Sequence, residues 1–138
     1  MWHLAKVYIL LVPILVAIDF FWLGMIMSRF YKKELGSLAR RAGDSLNPVK
    51  WAAALVWLLI PLGILLFVLP RTTASDPYLT GLGWGFLYGA ILYGVYDFTN
   101  YALLDRWPLK MTFADILWGG ILCGLGSCIA VFLHRYFS

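Results

Sequence analysis

Asp19, Asp97 and Asp115 lie inside stretches that otherwise read as membrane-crossing helices. An ionised carboxylate at mid-span costs roughly 2.5–3.5 kcal/mol. Such groups are kept where they are paired, protonated, hydrated or put to use. The chemistry within reach is that of a buried acid, either moving a proton or holding a ligand. Carboxyls crowded in a low-dielectric setting are expected to share a proton near neutral pH. Acid/base catalysis and proton-coupled transport both use a group of that kind.

Asp97 has the richest surroundings. Tyr93, Asp97, Asn100 and Tyr101 stand at i−4, i, i+3 and i+4, so they share a helix face, and Thr99 adds a nearby hydroxyl. In hydrocarbon such groups must find partners within the bundle. Asp97 is therefore expected to act as general acid/base or proton-binding carboxylate, with Tyr93 and Asn100 orienting a ligand or water. A polar clamp between helices would use the same groups. Asp19 is followed by Trp22 and Gly24, and Asp115 by Trp118 and Gly120. The D-x-x-W-x-G spacing puts carboxylate and indole on one face of each helix. An indole there can donate its N–H or stack on a flat ligand. The two helices should run in opposite directions, which admits an inverted pseudo-symmetric pair as well as coincidence in a Trp-rich chain. Asp115 also completes Thr112-Phe-Ala-Asp115, a capping-box spacing, and in that role it only closes a helix start.

The elements that must carry these residues follow from composition. Of 138 residues, 62% are hydrophobic and only 13% charged, where a soluble domain has about 25% charged. Apolar runs near the length of a bilayer crossing recur. The expected fold is all-α: one membrane domain, a four-helix bundle with spans at about 7–28, 51–69, 78–104 and 112–133. The first apolar run continues past Ile18 through Met27 with no small-residue cleavage pattern, so it reads as a retained helix. Asn47-Pro48 and Asp76-Pro77 each offer an N-cap followed by proline.

Loop 29–50 is the longest polar segment. Tyr31, Leu35, Leu38 and Ala42 fall at helical spacing there, so it is either a surface helix on the membrane or a solvated loop. Arg29, Lys32, Lys33, Arg40, Arg41, Lys50, Arg106 and Lys110 lie in the first and third loops, against Lys6, Arg71 and Arg135 elsewhere. Positive loops stay in the cytoplasm. Both termini are thus expected on the non-cytoplasmic side, and the formal charge of +4 reports orientation rather than nucleic-acid binding. All three aspartates then fall in the cytoplasmic half, Asp19 deepest at about 13 Å from its helix end. Trp2, Trp51, Tyr78, Trp107 and Tyr136 suit interfacial anchoring.

Gly81, Gly85 and Gly89 recur at four-residue intervals, a spacing for close helix approach or for a homo-oligomer contact. Pro13 and Pro61 should kink the first and second spans. The second span is uncharged and is expected to face lipid or a partner subunit. Cys123 and Cys128 stand about 140° apart on one helix and read as apolar filler. His3 and His134 suit the two interfaces rather than a metal. No P-loop, HExxH, GxSxG or dinucleotide signature is present, and no metal or cofactor is expected.

Asp19-Phe-Phe-Trp-Leu-Gly24 and Phe30-Tyr-Lys-Lys-Glu-Leu-Gly36, then Gly94-Val-Tyr96-Asp97-Phe-Thr99-Asn100, Trp107-Pro108-Leu109-Lys110 and Asp115-Ile-Leu-Trp118-Gly119, together resemble the bacterial membrane proteins of domain-of-unknown-function family 2177. The resemblance covers nearly the whole chain. It implies a multi-pass, four-helix protein of the bacterial cell inner membrane and no particular activity. It also implies Asp19, Trp22, Tyr96, Asp97, Thr99, Asn100, Trp107, Pro108, Asp115 and Trp118 as signature positions.

The leading expectation is an acidic, aromatic-lined pocket that binds or chemically processes a small amphiphilic or lipid-like ligand. Asp19 and Asp97, with Asp115, would handle protons. Tyr93, Tyr96, Thr99 and Asn100 would contact the ligand, with Trp22 and Trp118 as walls. The alternatives are a proton-coupled transporter or channel subunit, and a non-catalytic membrane assembly factor.

Overall fold

The computed structural model describes residues 2–138, and four long helices carry most of them. Helix α1 runs Trp2–Phe21 and continues as a π-helical turn, Trp22–Ile26. The path breaks at Met27 (φ −108°, ψ 8°) before the short α2, Ser28–Leu35. A 3-10 turn, Gly36–Leu38, leads to a minimal antiparallel hairpin of β1, Arg41–Ala42, and β2, Ser45–Leu46, with Arg41 opposite Leu46. Helix α3 runs Lys50–Gly63 and is prolonged by a π turn, Ile64–Val68, and a 3-10 turn, Leu69–Arg71. Helices α4, Pro77–Leu103, and α5, Leu109–Phe137, complete the chain.

Three of these segments are long and apolar enough to cross a membrane: Trp2–Ile26, Lys50–Arg71 and Leu109–Phe137. The fourth, α4, has 27 residues, a length of about 40 Å. Its glycines, tyrosines, Asp97 and Asn100 make it less apolar. Large apolar side chains are exposed around the outside, among them Ile9, Phe20, Leu59, Leu66, Leu79, Ile91 and Phe132. Hydrocarbon solvates such a surface without cost.

Helix α5 is the hub. Its Gly119, Gly120, Cys123, Gly124, Gly126, Ser127 and Ala130 are all buried. Between helices in lipid, association comes from close packing, and small side chains allow it. A Cβ at Gly89 would fall 1.9 Å from the Gly119 carbonyl oxygen, and one at Gly85 2.5 Å from that of Cys123. The Gly81/Gly85/Gly89 face is thus buried on α5 of the same chain. That burial answers the close-approach reading of the spacing. On α1, Val7, Leu11, Leu15 and Asp19 recur every four residues and form its buried stripe. Leu15 and Ile64 close over Gly126.

Local expectations divide. Pro77 opens α4 as the sequence suggested, but the Asp76 side chain makes no capping hydrogen bond. Helix α3 instead begins at Lys50, after the extended Val49, so Asn47 is not its cap. The stripe in loop 29–50 is α-helical only through Leu35, and Leu38 falls in the 3-10 turn. Gly36 adopts φ 49°, and Ala42 belongs to the hairpin. Pro13 sits within the unbroken α1, whereas the path after Pro61 loosens into the π turn. Helix α5 starts at Leu109, after Pro108. Asp115 therefore lies in its second turn, and the cap reading fails.

Candidate functional site

Asp19 ends the buried stripe of α1 with its side chain toward α3 and α5. Trp57 donates its indole N–H to Asp19 Oδ2 at 3.0 Å, and Trp118 donates to Oδ1 at 3.0 Å. Both oxygens are thereby satisfied at 6% exposure. This is a three-helix clamp, with one partner from the uncharged second span. That span was expected to face lipid or another subunit, and the expectation fails at Trp57 because an indole supplies a donor without charge.

Trp22 lies flat on Trp118, with ring centroids 4.2 Å apart and planes 4° from parallel. The two D-x-x-W motifs do meet, but not as a symmetric pair. Asp19 takes the indole of the other motif, and Asp115 takes no indole.

Asp115 Oδ1 instead accepts a hydrogen bond from the Tyr31 hydroxyl. The break at Met27 lets α2 fold back so that Tyr31 reaches α5. Tyr31 is 5% exposed. Its hydroxyl is pushed well above the usual tyrosine value, first by burial and then by the Asp115 charge. It therefore stays a donor. Tyr31 packs with Trp107 and Met111 in a small core of its own, bordered by Trp22, Met27 and Phe30.

Asp97 is 0% exposed, and neither carboxyl oxygen has a hydrogen-bond partner. The polar side chains facing it are the Asp115 carboxyl and the Trp107 indole. The indole is otherwise engaged, donating to Thr112 Oγ1 at 3.2 Å. An ionised carboxylate is acceptor-only, so Asp115 offers Asp97 nothing unless a proton lies between them. The one ion pair among the described residues, Arg106 with Asp105 at 3.8 Å, is fully exposed to solvent. No Lys or Arg is paired with Asp19, Asp97 or Asp115 there.

The remaining expected residues sort by position. Tyr93 is partly buried with its ring on Gly119, where a Cβ would fall 2.3 Å from Tyr93 Cδ2. Tyr96 is exposed along much of its surface and meets Trp107 edge-on at 6.1 Å. Asn100 is half-buried. Thr99 is exposed and Tyr101 is 49% exposed, so the face shared with Asp97 opens outward at its end. Trp107, expected as an interfacial anchor, is 8% exposed and belongs to the cluster.

Two open surface recesses occur, and none of Asp19, Asp97 and Asp115 lines either. One is lined by Tyr101–Trp107 and holds about 400 Å³; the other lies at Thr80, Gly83, Trp84 and Leu87. Trp107 is common to the first recess and to the surroundings of Asp97.

At the other end of the bundle the His3 and His134 rings adjoin at 5.1 Å. No group of three or more metal-ligating side chains occurs among the described residues. Cys123 is buried and Cys128 half-buried, both as free thiols. Tyr31 and Trp57 were the contributors that spacing did not reveal. Each bonds to a partner far away in sequence.

The fold and the cluster define an all-helical membrane protein with a buried acidic and aromatic centre. The chain belongs to the family described as Predicted membrane protein (DUF2177), whose model matches residues 4–132. No curated protein and no solved structure matches it.

Proposed function

We propose that this is a four-span protein of the bacterial inner membrane that binds a small amphiphile, with the ligand's head held at Asp97 beside Asp115. Helix α4 is long enough to be the fourth span. The adjoining His3 and His134 support placing both termini on one side. The basic loops leave the other end of the helices, near Tyr31 and Trp107, which supports a cytoplasmic position for the acidic centre.

The observation that carries the reading is the contrast between two buried carboxylates. Asp19 has both oxygens bonded to indoles, as a structural clamp requires. Asp97 is more deeply buried and has neither bonded. Leaving a buried charge without partners costs several kcal/mol, roughly. A group serving only helix packing would be expected to have its donors built in. Asp97 is the position at which a ligand has something to satisfy, and the neighbouring aromatics suit an apolar tail.

The test is ligand retention. Wild-type protein, extracted from its membrane in mild detergent and examined by native mass spectrometry, should carry a bound amphiphile. Asp97→Asn should lose it, and Asp44→Asn, in the exposed hairpin turn, should keep it. Wild type that carries none, or Asp97→Asn that carries as much, would refute the reading.

A further inference from the structure

We infer that the head group recognised at Asp97 is a primary ammonium, carried either on a membrane lipid or on a free alkyl amine. The inference rests on the amphiphile-binding reading and adds the chemistry of the head.

Three observations converge. First, Asp97 presents two acceptor oxygens, fully buried and unpartnered, so the missing component is a donor. A head group rich in acceptors, such as a phosphate or a carboxylate, would add to the mismatch. A primary ammonium supplies three N–H donors. Second, Asp97 faces Asp115, and the Tyr31 hydroxyl supplies Asp115 with only a neutral donor. Among the described residues no Lys or Arg is paired with either carboxyl, and Arg106 lies in solvent beside Asp105. Third, the neighbouring surfaces are aromatic. Trp107 faces Asp97, Tyr96 meets Trp107 edge-on, and Tyr31 packs in the same small core. Ring faces attract organic cations, with Trp the strongest of them.

Access runs through a surface recess. The recess of about 400 Å³ lined by Tyr101–Trp107 lies at the end of α4, where the shared polar face opens outward. Trp107 is the wall common to the recess and the carboxyl pair. A head entering there would reach Asp97 past the indole, and its tail would remain along the apolar exterior of α4.

The experiment uses the full chain in phosphatidylcholine nanodiscs, with empty nanodiscs as the partition control. Calorimetric titration compares hexylammonium with hexanol, which has the same chain and a neutral head. A second arm dopes the discs with phosphatidylethanolamine and counts lipids retained on the protein by native mass spectrometry. The expected result is saturable hexylammonium binding, weakened at least tenfold in Asp97→Asn and partly restored in Asp97→Glu, with hexanol at least tenfold weaker than the amine. Retention of phosphatidylethanolamine over phosphatidylcholine assigns the amine to a lipid; amine binding without that retention assigns it to a free amine. Equal binding of hexanol and hexylammonium would overturn the ammonium inference and leave the amphiphile reading standing. Absence of binding by every probe would overturn both. Circular dichroism of Asp97→Asn and Asp97→Glu separates lost binding from lost fold.

Discussion

Trp118 donates its indole N–H to Asp19 across ninety-nine residues of sequence, while its ring lies flat on Trp22. The bond and the stack together fix where α1 ends against α5. Trp57 supplies the second donor from α3. Trp118→Phe keeps a ring for stacking but leaves Asp19 Oδ1 without a donor, and Trp57→Phe does the same to Oδ2. Each should lower stability by about 1–3 kcal/mol, read from denaturant unfolding in bicelles. The double variant should depart from additivity because both changes fall on one carboxylate. Purely additive small losses would show that Asp19 does not depend on its indoles.

The contact between α4 and α5 makes a sharper distinction between glycines. A Cβ at Gly89 would meet the Gly119 carbonyl oxygen at 1.9 Å, and neither backbone can move aside cheaply. Nothing lies within 4 Å of the Cβ position at Gly83, six residues earlier on the same helix. Gly89→Ala should therefore lower Tm clearly. Gly83→Ala should leave it unchanged or raise it slightly, since alanine favours helix by up to about 1 kcal/mol. Equal Tm shifts for the two would mean that the helices do not approach this closely.

The sequence showed the helical class and the approximate positions of the long helices, because apolar run length is a local property. It also singled out Asp97 as the acid with the most polar surroundings. The partners were less legible. Tyr31 reaches Asp115 only because the path breaks at Met27 and α2 turns back, and no spacing rule reports such a turn. Trp57 stands in a run of apolar residues, where an indole donor is indistinguishable from filler. Trp107 resembled an anchor at the membrane surface, since the turn that buries it is set by contacts with α2 and α5. The cap assigned to Asp115 failed by four residues, because the N-cap is Pro108 rather than Thr112 and α5 starts at Leu109.

Tyr31 should report its environment in alkali. Burial first, and Asp115 second, push its hydroxyl above the ordinary tyrosine value of about 10. From there upward the unfolded chain holds fewer protons than the folded one, so this group's contribution to stability is present below pH 10 or so and falls as pH rises. Tyrosinate absorbance of folded wild type and of Tyr31→Phe should coincide up to about pH 11. A difference between them equal to one ordinary tyrosine would place Tyr31 in contact with water and away from Asp115.

The most direct measurement concerns where an amphiphile sits. A long-chain alkylammonium carrying a diazirine near its head, photolysed with the protein in nanodiscs and followed by peptide mass spectrometry, reports its own location. Labelling should concentrate on Tyr101–Trp107 and be lost in Asp97→Asn. Labelling spread evenly over the apolar faces of α1 and α3, and unchanged by Asp97→Asn, would contradict binding at Asp97.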